Sequence, residues 1–211
     1  MTEPIKIDGR TRRAEAIRDR RRSEVLDIAL RVFAANGYHQ TRITDIIDAA
    51  GVARGTFYLY FDSKEAIFHE LLDRLLLHLR ANVIGVDVRP GAPSVETQLV
   101  VTVRRLLEVV EAQRLMVMVL LREAVGLDAS VDAKLREFYG SLHAYLVEAL
   151  TAGQLLGVVR PLDTEIAATC ILGSVKHIME RVVMIAPDEP LPIDRVARAI
   201  LDYNLHGLLA R

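Results

Sequence analysis

The sequence predicts an all-α protein in which a small N-terminal helical domain precedes a larger C-terminal helical domain. Three observations support this fold class. Apolar residues recur at helical spacing through most of the chain, the alternation typical of strands is scarce, and the few Gly and Pro residues fall between the periodic segments. With 211 residues, 51% of them hydrophobic, the chain is long enough for a small domain plus a larger one.

The N-terminal part divides into a basic arm and a three-helix domain, which a longer fourth helix follows. Residues 1–18 are polar and Arg-rich and predict a flexible arm, and the N-terminal domain follows over residues 19–79. Its first helix ends at Asn36–Gly37, where glycine provides a left-handed C-cap. The apolar stripe of this helix consists of Val25, Ile28, Ala29, Val32 and Phe33.

The rest of this domain has short helices with clear boundaries. Two helices are predicted near residues 43–50 and 53–60, with Gly51 turning the chain between them. Asp62 or Ser63 then caps a longer helix that carries Glu65 in its first turn.

The C-terminal domain is predicted over residues 80–211, where Val88–Ser94 interrupts the helical pattern. Asp163 follows Pro161 and is a favourable N-cap. Five helices are expected near residues 95–110, 112–126, 130–155, 163–185 and 193–209.

Charge is unevenly distributed although the formal net charge is only −1. Residues 1–64 contain 12 Lys and Arg against 9 Asp and Glu, and the remainder contains 15 against 19. A basic end on an acidic body fits a protein that presents one end to phosphates, and it also fits a solvated N-terminal tail.

Several classes of protein find no support in the sequence. Cys170 is the single cysteine, so no intrachain disulfide and no Cys-based zinc site can form, as suits a reducing cytoplasm. The chain begins with charged residues rather than an apolar signal sequence, and its longest apolar run, Leu115–Leu121, is too short to cross a bilayer. Gly-x-Ser-x-Gly, Walker, His-Glu-x-x-His and paired-Cys motifs are absent from the sequence. We expect a cytoplasmic, non-membrane protein that is not an enzyme and uses no cofactor and no metal.

Residues 42–61 have the pattern of a helix-turn-helix, in which one short helix braces a second that enters the DNA major groove. Arg54 can fork onto guanine, a contact that is worth about 1–3 kcal/mol of base discrimination. Gly55 provides a small residue where a close backbone approach is needed. Thr56, Tyr58 and Tyr60 have hydroxyls that can reach phosphates or base edges, while Val52, Phe57 and Phe61 would anchor the back of the helix.

The arginines before this motif have two interpretations. They form either an arm that follows the phosphate backbone or minor groove, or a solubilising tail. For residues 1–15 the tail is favoured, and for Arg20–Arg22 both interpretations stay open.

Residues 20–75 resemble the N-terminal domain of TetR-type (TetR/AcrR) transcriptional repressors. The agreement in order and spacing lies in Ala34–Tyr38, Thr41–Ile46, Ala50–Phe61, and Lys64–Glu65 with Leu71. The resemblance implies that Lys64 contacts a phosphate and that the DNA-facing positions are Thr44, Arg54, Gly55, Thr56, Tyr58 and Tyr60.

Two residues depart from the family pattern. Arg42 stands where the family often has a Ser or Thr that caps the second helix, so either Thr41 takes over the cap or Arg42 contacts phosphate. Ile47 stands where a small Ala is common, and its bulk must be absorbed between helices.

The resemblance also implies that the C-terminal domain dimerises and binds a small effector. A two-fold axis would place two recognition helices about 34–36 Å apart, one turn of B-DNA. The last two helices would form the homodimer seam, unless their apolar faces are simply intramolecular core. The candidate seam residues are Ile166, Ala167, Cys170, Ile171, Gly173, Ser174, Ile178, Val182, Ile193, Val196, Ile200, Leu205 and Leu208.

An effector site is predicted on weaker grounds in the same domain. Met116, Met118, Phe138, Tyr139 and Tyr145 suggest an apolar cavity, although such residues also form ordinary core. Arg122, His143 and His177 could orient a polar group of the ligand, or lie at the surface.

The expected function is a ligand-responsive transcriptional regulator, a repressor, that binds palindromic double-stranded DNA as a homodimer. A small apolar or amphipathic effector would release it. The alternative is a constitutive or architectural DNA-binding protein whose C-terminal domain only dimerises.

Overall fold

The computed structural model describes residues 9–123, 128–185 and 189–208. Over these residues the protein is helical and contains no strand, so the all-α prediction is confirmed. The helices are α1 (Gly9–Asn36), α2 (Ile43–Ala50), α3 (Arg54–Tyr58), α4 (Lys64–Ala81), α5 (Val95–Ala112), α6 (Arg114–Glu123), α7 (Ala129–Leu155), α8 (Thr164–Ile185) and α9 (Ile193–Leu208).

The chain divides into two compact units, Met1–Leu72 and Asp73–Arg211. Their boundary falls inside α4, as does the predicted domain boundary between residues 79 and 80. A single continuous helix therefore belongs to both units.

Helix α1 is longer than the sequence predicts. It begins at Gly9, so the expected flexible arm is wrong for residues 9–18, while residues 1–8 lie outside the described part. Residues 10–36 contain neither Gly nor Pro, and this stretch is rich in Arg, Ala and Glu, which are good helix formers. The helical spacing of apolar residues begins only at Val25. The polar turns before it therefore contain no pattern that predicts a helix.

The core of the N-terminal unit is built from the predicted stripe of α1 and from aromatic residues of the following helices. Val25, Ala29 and Phe33 are buried as expected, and Leu26 joins them with 0% of its surface exposed. Tyr38 bridges this core, because its ring centroid lies 5.1 Å from that of Phe33 and 5.2 Å from that of Phe68. Burial of each such side chain contributes about 1.5–3 kcal/mol. The other buried apolar residues of this unit are Ile46, Ile47, Phe57, Phe61, Ile67, Leu71 and Leu72.

The turns that shape this unit follow the predicted chemistry. Gly37 has a φ of 81°, which confirms its predicted left-handed C-cap, and Gly51, predicted to turn the chain, has a φ of 61° and is the left-handed C-cap of α2. Ser63 Oγ accepts a hydrogen bond from the backbone N–H of Ala66 (3.1 Å), so Ser63 caps α4. Ile47 is 8% exposed, and its bulk is absorbed in the core.

The C-terminal unit places α7 beside α8 and α5 beside α9. Asp163 caps α8 as predicted, since its Oδ1 accepts from the backbone N–H groups of Glu165 and Ile166 at 3.0 and 3.1 Å. Leu107, Leu191 and Ala197 form a buried cluster. Among the described helices of both units, none is long and apolar enough to cross a membrane.

Candidate nucleic-acid interface

Helix α3 is a five-residue helix held by one buried side. Phe57 is 0% exposed and Phe61 is 2% exposed, so both predicted anchors are in the core, whereas Val52 is half-buried. The helix is shorter than the predicted 53–60, because Leu59 and Tyr60 form a turn instead of a further helical turn. A short helix with one anchored side presents its opposite side to solvent.

The predicted DNA-facing residues fall into two groups by exposure. Tyr60 and Lys64 are half-buried. On α3 the guanidinium carbon of Arg54 lies 5.9 Å from the ring centroid of Tyr58, which is 40% exposed. The exposed group consists of Arg42, Thr44, Arg54, Gly55, Thr56 and Tyr58.

Gly55 is open to solvent. A Cβ added to this residue would meet nothing within 4 Å, outside its immediate chain neighbours and helix backbone. A glycine in a helix costs about 0.5–1 kcal/mol relative to alanine. Internal packing therefore gives no reason for a glycine at this position.

The start of α2 is capped by Asp45. The backbone N–H of Arg42 donates to Asp45 Oδ2 (2.8 Å), and this carboxylate also lies favourably in the first turn of the helix. Thr41 does not cap α2: its hydroxyl donates to the carbonyl of Gly37 (2.7 Å), and the residue is 2% exposed. The alternative in which Thr41 takes over the cap is therefore wrong, and the exposed Arg42 side chain makes no capping hydrogen bond.

Lys64 anchors the loop between α1 and α2. Its ammonium donates to the carbonyls of Tyr38 (2.9 Å), Thr41 (3.1 Å) and His39 (3.3 Å). Its Nζ also lies 4.5 Å from the ring centroid of Tyr38. An ammonium has three N–H groups, so these carbonyls occupy its donor capacity. The phosphate contact that the resemblance implies for Lys64 would have to compete with them.

The structure separates the arginines that the sequence left undecided. Arg20 and Arg21 form exposed pairs with Glu24 at 3.2 and 2.8 Å. Arg22 instead forms a fork with Glu70 of α4, with its Nε at 3.0 and 3.2 Å from the two carboxylate oxygens and its Nη2 also bonded to Oε2. The hydrogen bonds that Arg22 donates to the Glu70 carboxylate raise the pKa of Arg22 above its usual value.

Arg22 also contacts the segment that follows α3. Its Nη1 donates to the carbonyl of Tyr60 (3.0 Å), and its guanidinium carbon lies 4.6 Å from the ring centroid of Phe61. Sequence reasoning missed this role because Arg22 and Glu70 are 48 residues apart, and no local pattern joins them.

The predicted effector residues occupy three kinds of environment. Met116 and Phe138 are buried and Met118 is half-buried. Arg122 is exposed, and the side chain of His177 is 77% exposed beside Glu180.

Tyr139 and His143 lie one turn apart on α7 and interact with α8. His143 Nε2 lies 3.1 Å from Thr169 Oγ1 and 3.2 Å from the carbonyl of Glu165. Tyr139 is 36% exposed, and the covered part of its side chain raises its pKa, an effect that the positive charge of Lys176 opposes and the negative charge of Glu180 strengthens. Of the two predicted histidines, only His143 therefore lies against the neighbouring helix.

The predicted dimer residues also separate. Val182, Ile193 and Val196 pack on the buried cluster of the chain's own core, and Ile200 is 2% exposed, so the interpretation as intramolecular core is right for these four. Another face of α8 is open to solvent and carries Ile166, Cys170, Gly173, His177 and Met184. We call these five residues the α8 stripe.

An exposed short helix carrying Arg, Gly, Thr and Tyr, which follows another short helix across a left-handed glycine turn, defines a helix-turn-helix protein of the DNA-binding class. Residues 25–71 match the family model "Bacterial regulatory proteins, tetR family". The predicted resemblance of this N-terminal segment to TetR-type transcriptional regulators is thereby confirmed.

Full-length comparisons agree with this family. The chain is 25% identical over 193 residues to the "Uncharacterized HTH-type transcriptional regulator YdgC" of Bacillus subtilis, covering 90% of this chain and 93% of the relative. The structure of the fatty acid degradation regulator FadR from Bacillus halodurans superposes with a TM-score of 0.67 at 26% identity, over 90% of this chain and 97% of the other. That of the ketosteroid transcriptional regulator KstR2 of Mycobacterium tuberculosis gives 0.68 at 25% identity, over 90% and 96%.

Proposed function

We propose that the protein is a ligand-responsive repressor that binds a palindromic operator as a homodimer and is released by a small apolar or amphipathic effector. The observation that carries this proposal is the open position of Gly55 on α3. The glycine is exposed and no internal neighbour requires it, so the close approach that favours it comes from outside the protein. Duplex DNA in contact with the backbone of a recognition helix provides such an approach.

The residues around Gly55 supply the contacts that such a complex needs. Arg54 forks onto a guanine edge, while Thr56 and Tyr58 reach phosphates or neighbouring bases. Arg42 and Thr44 are exposed at the start of α2, where they bind the flanking phosphate backbone. Tyr60 completes the set, whereas Lys64 supports it indirectly by holding the loop that precedes α2.

We place the homodimer seam on the α8 stripe. Ile166 is 61% exposed and Met184 is 41% exposed, so apolar surface is open to solvent at both ends of this helix face. Between them, Cys170 and Gly173 are small enough for a second helix to approach closely. A two-fold axis through this face would duplicate α3 and therefore predicts a palindromic operator.

The effector is proposed to bind in the C-terminal unit and to act through α4. Helix α7 contacts the last turns of α4 through Lys134 with Asp73 (2.6 Å) and Glu137 with Arg80 (3.3 Å). An effector that favours a different position of α7 would shift α4, and with it the spacing of the two recognition helices. The names of the two structural neighbours, which refer to fatty acid degradation and ketosteroids, support an apolar class of effector.

Selection of duplexes from a random library by the full-length protein tests the DNA part. We expect an inverted repeat with half-sites about one helical turn apart. Arg54→Ala should then relax the preference at one base position by about 1–3 kcal/mol of discrimination. No enriched sequence at moderate ionic strength, or full discrimination by the variant, would contradict the proposal.

The effector part has its own test on the selected duplex. A long-chain acyl-CoA and a steroid ketone are titrated into the protein–DNA complex while fluorescence anisotropy reports release. Release by either probe, with a matching rise in the melting temperature of the free protein, supports the proposal. Binding confined to small, highly charged metabolites in calorimetry would refute the apolar class, and a wide panel with no ligand at all would favour a constitutive repressor.

A further inference from the structure

We propose that Arg22 is the positioning residue that sets the orientation of α3, and that Arg18, on the preceding turn of α1, contributes a second contact. This inference rests on the proposed role of α3 as the DNA-reading helix. Neither residue needs to touch DNA for this role. Both act on the carbonyl end of the reading helix.

The geometry consists of two arginines on one face of α1. Arg22 Nη1 donates to the carbonyl of Tyr60 at 3.0 Å, and Arg18 Nη2 donates to the carbonyl of Leu59 at 3.4 Å. The arginines are four residues apart, so they lie above one another on the helix. They therefore bind two consecutive carbonyls in the turn that directly follows α3.

Helix α3 needs such an external cap because it is too short to be stable alone. An isolated helix of five residues is far below the length that is marginal in water. The carbonyls of Thr56 and Phe57 accept from the backbone N–H groups of the turn that follows, and the last turn of α3 contains no basic residue. Cations are favoured at a helix C-terminus, so α1 supplies the charges that α3 lacks.

The second partner of Arg22 fixes the direction of its guanidinium. The guanidinium forms a forked pair with Glu70 of α4. Its carbon also lies 4.6 Å from the ring centroid of Phe61, which contacts the face of the guanidinium. Three elements thus meet at one planar cation. Displacement of this cation would move the carbonyl of Tyr60, and with it the tyrosines that face the DNA.

Arg22→Gln is tested beside Arg21→Gln. The two variants remove the same charge from adjacent positions of α1. Arg21 pairs with Glu24 on the exposed side of α1, whereas Arg22 donates to the carbonyl of Tyr60 after α3. The probes are the duplex selected by the wild-type protein and a scrambled duplex of equal length. Dissociation constants are measured at several salt concentrations, and circular dichroism melts report folding.

We expect Arg22→Gln to lower the affinity ratio of selected to scrambled duplex by about tenfold relative to Arg21→Gln, which is about the discrimination that one good base contact provides. The salt dependence of the two variants should be equal, because a positioning residue neutralises no phosphate. A merely structural loss would weaken both duplexes alike and leave the ratio unchanged.

Arg22→Lys keeps the proposal testable if the glutamine variant fails to fold. Lysine retains the charge and binds Glu70, but a single ammonium cannot reproduce the fork and the Tyr60 bond together. We expect the same fall in the ratio in a folded protein. An unchanged ratio in Arg22→Lys, or a salt slope lowered by about one in Arg22→Gln, would overturn the inference. Failure of the proposed function is distinguishable, because the wild-type protein would then select no duplex.

Discussion

Lys64→Met removes the ammonium that joins α4 to the loop between α1 and α2, while it keeps most of the aliphatic stem. The carbonyls of Tyr38, His39 and Thr41 lose a donor at 2.9, 3.3 and 3.1 Å. Hydrogen bonds to a charged group contribute about 1.5–3 kcal/mol each, but these share one cation on a half-buried residue and are not additive. We expect a loss of about 2 kcal/mol in the free energy of unfolding.

For a chain of this length, about 2 kcal/mol corresponds to a fall of about 4–8 °C in the melting temperature. Thermal melts followed by circular dichroism measure it directly. The control is Arg31→Met, which removes a charge from an exposed position of α1. This control should change the melting temperature by less than about 1 °C, as surface substitutions usually do.

DNA binding gives the result that would refute this reasoning. If Lys64 binds a phosphate instead of the loop, Lys64→Met will lower the salt slope of DNA binding by about one and leave the melting temperature equal to that of the control. The anchoring role predicts the reverse pattern, with a lower melting temperature and an unchanged slope.

Three further predictions concern the glycines and the cap of α2. Gly55→Ala should leave the free energy of unfolding unchanged or raise it by up to about 1 kcal/mol, while operator affinity falls. Gly51→Ala, at φ 61°, should instead lower the free energy of unfolding by about 1–2 kcal/mol. An unaffected operator affinity in Gly55→Ala would contradict the proposed approach of DNA. Arg42→Ser should raise the free energy of unfolding by about 0.5–1 kcal/mol, because it adds a side-chain N-cap, and should weaken DNA binding. Urea unfolding measures the first effect and fluorescence anisotropy the second. Tighter DNA binding by this variant would exclude a contact from Arg42. Gly173→Arg should convert a dimer to a monomer in analytical ultracentrifugation, and an intact dimer would place the seam elsewhere than on the α8 stripe.

Local signals predicted the helix boundaries well. Ser63 and Asp163 cap their helices through hydrogen bonds to nearby backbone N–H groups, and Gly37 and Gly51 adopt the φ values that their positions suggested. Such features involve residues that are close in sequence, so a pattern of residue types is sufficient to find them. The start of α1 was missed because its polar first turns carry no apolar period.

Contacts between distant residues could not be read in the same way. The fork between Arg22 and Glu70 depends on how α1 and α4 pack, and spacing along either helix does not determine this. The same limit explains why the predicted effector residues have different environments: a helical period shows that Tyr139 and His177 each lie on some face, but not which face meets a neighbouring helix.

Because the first half of α4 belongs to the N-terminal unit, it determines which fragment of the chain can be moved into a related protein. Phe68 and Leu72 are 0% exposed and belong to the N-terminal unit, and the ammonium at the start of the helix satisfies carbonyls more than twenty residues upstream. A chimera that receives only residues 42–61 would contain the DNA-contacting surface without the first half of α4, which packs behind it. An exchange of DNA specificity between relatives should therefore carry the first half of α4 along with the motif.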